Sequence, residues 1–112
     1  MLHGWIIKTD KVIANYVDAN NSINKIKLIS LFSRDAIVIH EDKHYKGIDA
    51  IKTWRKKINT ISHVNLEVVG VSATNEGILT DILCTGDLLE SALIVQFEFI
   101  ISNSLIISLK IN

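Results

Sequence analysis

Tyr45-Lys46-Gly47-Ile48-Asp49-Ala50-Ile51-Lys52-Thr53-Trp54 changes its hydrophobic period part-way along. Before Gly47 it reads as the end of a short strand. After Gly47 the apolar residues Ile48, Ile51, Trp54 (or Arg55) and Ile58 recur at helical spacing, with Asp49, Lys52, Lys56 and Lys57 left to face water. The spacing predicts a helix over 48–58. Immediately upstream, His44-Tyr45-Lys46 forms a short returning strand and Glu41-Asp42-Lys43 its turn. Ala36-Ile37-Val38-Ile39-His40, rich in β-branched residues, forms the strand before it.

Further toward the N-terminus the period is helical again. Val12, Ile13, Tyr16 and Val17 follow Thr9 or Asp10, either of which suits an N-cap, and Asn20-Asn21 is expected to break that helix. Ser22 is the expected N-cap of a second helix with a stripe of Ile23, Ile26, Ile29 (or Ser30) and Phe32, widened by Leu28 and Leu31 so that more than one side is buried. Downstream of the third helix only strands are credible. Val64, Leu66 and Val68 alternate with polar residues, Gly77 opens a strand to about Thr85, and Gly86-Asp87 closes it. Ala92 to Ile101 makes another strand. After the Ser102-Asn103-Ser104 turn, Leu105, Ile107, Leu109 and Ile111 make the last. Strands joined by short turns pair antiparallel, and helices segregated to one face of such a sheet define an α+β architecture.

At 112 residues the chain fits a single domain, residues 1–112, with no linker or repeat. Twelve basic and twelve acidic residues give no cationic excess of the kind that binds phosphate backbones, so no nucleic-acid partner is expected. The densest basic run, Arg55-Lys56-Lys57 with Lys52, reads as the solvated face of the third helix. One cysteine, Cys84, excludes an intrachain disulfide and a Cys-rich zinc site. The start has no signal-peptide pattern, and the apolar C-terminal stretches are too short and interrupted to span a bilayer. A cytoplasmic protein without membrane contact is the expectation.

Three stretches resemble the nuclear transport factor 2-like superfamily, which includes SnoaL-like polyketide cyclases, ketosteroid isomerases and scytalone dehydratase. Ser22 to Val38 looks like the family's second helix running into "Leu-Phe-x-x-Asp-Ala-x-Val". Tyr45 to Trp54 looks like "Tyr-Arg-Gly-x-x-Ala-Ile-x-x-Trp". Gly86-Asp87-Leu88-Leu89-Glu90-Ser91 stands where relatives carry "Gly-Asp-Phe-Pro-Gly-Ser", with Leu89-Glu90 replacing Pro-Gly. The resemblance implies three N-terminal helices packed on a curved, mostly antiparallel β-sheet, a cystatin-like cone with an internal pocket. It also implies a small apolar molecule as partner and no cofactor.

In that cone the inward sheet candidates are Ala36, Val38, Val64, Leu66, Ile82, Cys84, Val95, Phe97 and Phe99. Trp54, Val38, Leu66, Val95, Phe97 and Phe99 are the candidate ligand-binding residues, Trp54 reading as a core anchor that also roofs the pocket. His40 shares the parity of Ala36 and Val38, and Tyr16 lies on the first helix's buried stripe. By resemblance to ketosteroid isomerases, Tyr16 would stabilise an oxyanion and His40 would act as general base, which makes the chain an isomerase, cyclase or dehydratase of a small carbonyl compound. Two departures stand: the base is histidine rather than aspartate, and Val95 occupies the region of the family's second carboxylic acid. The plainer reading is a core tyrosine and a water-facing histidine in a non-catalytic binding or interaction module.

No metal site is expected from His40, Glu41, Asp42 and His44, whose directions scatter and which lack a distant ligand. Cys84 reads as an inert buried thiol, His63 as exposed, and no serine elbow or phosphate loop is present. The outer sheet face, carrying Leu79, Asp81, Leu83, Thr85, Ile94, Gln96, Glu98, Ile106, Ser108 and Lys110, is apolar enough to suggest a homodimer interface.

Overall fold

The computed structural model describes residues 10–59, 63–86 and 90–112. Asp10 caps α1 (Lys11–Asn21), its carboxylate accepting the Val12 N–H at 2.8 Å, and Val12, Ile13, Tyr16 and Ala19 form the buried face. The helix runs through Asn20 and Asn21 rather than breaking there. Their side chains find partners in β3 and in the residue just before it instead of in the local backbone. The Asn20 amide donates to the Val64 carbonyl at 2.9 Å. Asn21 exchanges a pair of 2.8 Å bonds with the backbone of Leu66.

The chain leaves α1 through Ile23 at φ 57. The Ile23 N–H donates to Asn20 O at 3.2 Å and the Asn24 N–H to Ala19 O at 2.9 Å, which is the bond pair of a Schellman cap. Ser22 therefore ends α1, and Asn24, not Ser22, is the N-cap of α2 (Lys25–Ser30), accepting the Lys27 N–H at 3.0 Å. The expected stripe of the second helix is also displaced. Only Leu28 of α2 is buried, Ile26 is 86% exposed, and Phe32 already belongs to β1. So dense an apolar run fits several helical phases, and the asparagine cap selected another one.

β1 (Phe32–His40) begins ahead of the expected Ala36, with irregular pairing between Phe32 and Ile37. Glu41 and Asp42, both at positive φ, turn it into β2 (Lys43–Lys46), and Gly47 at φ 87 leads into α3 (Ile48–Asn59). Two helices thus precede the sheet and the third lies between β2 and the strands that follow. β3 (Asn65–Ala73), β4 (Ile78–Thr85), β5 (Leu93–Ser102) and β6 (Leu105–Ile111) form an antiparallel meander. β6 then pairs in parallel with β1, giving one mixed six-stranded sheet in the order β2-β1-β6-β5-β4-β3. Gly77 admits no side chain, because a Cβ there would collide with the Phe99 carbonyl oxygen.

The helices cover one face of this sheet. Ala36, Val38, Leu66, Ile82, Cys84, Phe97 and Phe99 are buried beneath them with Ile13, Tyr16, Ile51 and Trp54, and Val64 and Val95 pack against that core. The inward row matches the alternation, with Thr80 added to it. One expected outward residue is inward: Ile106 is fully buried. The pairing register shifts between Ile100 and Ile101, so Ile101 opposes Ile106 while Ile100 opposes Ser108. Ile107 is the extra residue of this bulge, which reverses strand parity, so Ile106 and Leu109 both reach the core and Ile107 is exposed. Half of the Gly86–Ser91 motif, residues 87–89, lies outside the described residues, as does His3. Among the described residues no helix is long and apolar enough to cross a membrane.

Candidate functional site

Trp54 and Arg55, neighbours on α3, each hold one of the two candidate catalytic side chains. Trp54 is buried, and its indole N–H donates to Nδ1 of His40 at 3.0 Å, the two rings meeting edge-on at 6.0 Å. A nitrogen that accepts carries no hydrogen, so neutral His40 holds its proton on Nε2, which lies 3.8 Å from Glu41 Oε1. The basic lone pair is therefore turned into the fold.

Tyr16 sits in the aromatic core, edge-on to Phe32, Phe97 and Phe99 with centroids 6.3, 6.4 and 5.6 Å away. Burial pushes its phenol above the ordinary value of 10.0. The Arg55 guanidinium, by its charge and a hydrogen bond, pulls the other way without cancelling the burial effect. Arg55 also donates from Nη2 to Asn20 Oδ1 at 3.0 Å and lies 5.5 Å over the Trp54 ring. Tyr16 and His40 thus face opposite ends of one Trp54–Arg55 unit. Of the proposed lining residues, Val38, Leu66, Phe97 and Phe99 are buried in the core and Val95 is half-buried against it.

A cavity of about 520 Å³ lies on the helix side of this cluster, between the end of α1, α2 and α3. Its apolar wall is Ala19, Ile23, Ile26, Leu28 and Ile29. Four cations, Lys25, Lys52, Arg55 and Lys56, also line it, with His63 at one edge. No sheet residue and none of the eight sequence-derived candidates contributes to this lining. Asn20 and Arg55 belong both to the cavity and to the polar cluster behind it.

Neither protein-family models nor curated proteins match the chain. Solved structures do. A candidate polyketide cyclase from Sinorhizobium meliloti superposes with a TM-score of 0.85 at 21% identity, covering 93% of this chain and 95% of that one. The fold is that of the nuclear transport factor 2-like proteins. A Catenulispora acidiphila protein with a ketosteroid isomerase-like fold, solved in complex with trimethylamine, gives 0.78 at 13% identity over 94% of this chain and 86% of that one. A computationally designed binder of 17-OHP gives 0.75 at 12% identity over 90% and 86%.

Within this nuclear transport factor 2-like fold, sequence reasoning missed Asn20, and it read Arg55 both as an alternative to Trp54 on the apolar stripe and as part of the solvated basic run. The signal for Arg55 was present: it is a charged residue on the apolar stripe, one turn beyond Ile51. Lys52, Lys56 and Lys57 do lie on the exposed face, but Arg55 is half-buried. Asn20 carried no comparable signal, since its partners are distant in sequence. Cys84 is buried with its thiol pushed up by burial, as suits an inert side chain. Among the described residues no group of three or more His, Cys, Asp or Glu is placed to hold a metal.

Proposed function

We propose that this chain is a small-molecule-binding domain that holds its ligand in the cavity between α2 and α3 without transforming it. The cavity carries the reading. Its volume lies inside the range of about 300–1,000 Å³ typical of small-ligand sites, and its walls combine aliphatic side chains with a few polar ones. The trimethylamine complex and the designed 17-OHP binder support small-molecule binding on this fold. The state of His40 supports the non-catalytic half, because its lone pair is already occupied by Trp54.

An acid–base enzyme, a cofactor-free isomerase, cyclase or dehydratase of a small apolar carbonyl compound, is the second reading. The observation favouring it is Tyr16 beside Arg55, since phenol and guanidinium together offer an oxyanion two donors in an apolar wall. It requires His40 to give up Trp54 before taking a proton. Amide NMR titration with a panel of small apolar molecules tests the first reading. Binders should shift α2 and the cavity-facing turn of α3, and His40→Ala should leave their affinity unchanged. A panel that shifts none of these amides would overturn it, and turnover of a carbonyl compound that His40→Ala abolishes would put the enzyme in its place.

A further inference from the structure

We propose that the α2–α3 cavity selects an anionic amphiphile, a carboxylate on a short apolar body, with the carboxylate held by Arg55. This inference rests on the reading of the cavity as a ligand site and adds the chemical class. Lys25, Lys52, Arg55 and Lys56 all line one cavity, and among the described residues no Asp or Glu shares the lining. A chain with equal numbers of acidic and basic residues has no general cationic excess to produce this, so the sign is local. Like charges around a low-dielectric wall focus a field that attracts the opposite charge.

Arg55 is the group placed to receive that charge. Unlike the three lysines, it is half-buried, and its partners are neutral: the Asn20 amide oxygen, the Tyr16 hydroxyl and the Trp54 ring. Among the described residues no carboxylate lies within ion-pairing distance of it. A guanidinium has five N–H donors in a rigid fork that matches a carboxylate, so donors remain after Asn20 and Tyr16 are served. A half-buried charge without a counter-charge is costly, and a bound carboxylate would offset that cost.

The rest of the cavity suits an apolar body. Ile23 and Ile26 are 59% and 86% exposed, large side chains left in water at the mouth, with Leu28 and Ile29 behind them. Ile23 stands at a left-handed cap position that favours glycine, so the apolar wall here is held against backbone preference. A simple anion would leave this wall wet, and a neutral apolar molecule would leave Arg55 with no counter-charge among the described residues.

Calorimetry with octanoate, octanol and inorganic phosphate separates these cases. Octanoate should bind about tenfold or more tightly than octanol, as one charge-assisted hydrogen bond implies, and more tightly than phosphate. Lys52→Glu with Lys56→Glu, both exposed positions that leave the fold intact, should weaken octanoate about tenfold and spare octanol. Ile26→Asp should weaken both. Octanol binding as tightly as octanoate, or an unchanged octanoate affinity in the charge-reversed variant, would overturn the carboxylate assignment while the cavity stood as a ligand site. Phosphate binding as tightly as octanoate would replace the amphiphile by a plain anion. No cavity amide shift with octanoate, octanol or any panel compound would overturn the ligand site itself.

Discussion

Among the described sheet residues Thr80 is the one fully buried polar side chain, and its hydroxyl has no hydrogen-bond partner. A buried hydroxyl without a partner costs desolvation free energy that an isosteric methyl does not. Thr80→Val is therefore expected to stabilise the domain by about 1 kcal/mol in urea denaturation; a loss of stability would show that the hydroxyl is satisfied in solution. Tyr16 and Cys84 give the fold an alkaline limit. Burial raises both groups above their ordinary values of 10.0 and 9.0, so the native state holds protons that the unfolded chain has released. Neither group alters stability below its ordinary value, and stability falls as pH rises through the two ordinary values toward the raised ones, by up to about 1.4 kcal/mol per pH unit for each group. Tyr16→Phe should flatten the part of this decline above pH 10.0 and leave the earlier part, set by Cys84, in place. An identical pH profile in the variant would remove Tyr16 from the account.

At the scale of elements, the α1–α2 connection is where the proposed ligand cavity and the backbone disagree. A β-branched residue in the left-handed region costs roughly 1–2 kcal/mol, and Ile23 is too exposed to regain that by burial. Ile23→Gly should raise stability by about 1 kcal/mol and weaken ligand binding at the same time. Greater stability with undiminished affinity would separate Ile23 from the cavity. The same connection marks how far the sequence could be read. Strong period-two alternation placed the core row of Val38, Leu66, Phe97 and Phe99, because one face of a sheet tolerates no slip of a single residue. Where two residues shared a period, as in the apolar run from Ile23 to Phe32, it could not select the phase. Nor could it show the bulge at Ile107 that sends Ile106 inward, since a bulge is set by the register of the partner strand. The cavity itself was illegible. One of its lining residues, Asn20, is held with Asn21 by bonds to residues more than forty positions away.

For the whole molecule, the outer sheet face remains the proposed contact with a second copy. Ile94 is 64% and Ile107 38% exposed, while Leu79 and Leu83 are half-buried beside them. Asp81, Glu98 and Lys110 supply both signs of charge on the same face; Gln96 already donates to Asp81 at 3.3 Å. Light scattering at micromolar concentration should return about twice the 12.5 kDa chain mass, and Leu83→Lys with Ile94→Lys should reduce it to one. A dimer unaffected by both substitutions would move the interface elsewhere. Dimerisation through this face leaves α2 and α3 uncovered, so ligand affinity should not depend on protein concentration.

The side of Trp54 and Arg55 that the ligand occupies decides between the helix cavity and the sheet. The most direct measurement is a crystal structure of the protein grown with the tightest-binding compound of the panel. Ligand density is expected between α2 and α3, against Ile23 and Ile29 and within hydrogen-bond reach of Arg55, with the Trp54–His40 bond intact. Density among Tyr16, Phe97 and Phe99, with His40 turned away from Trp54, would contradict it and return the site to the sheet.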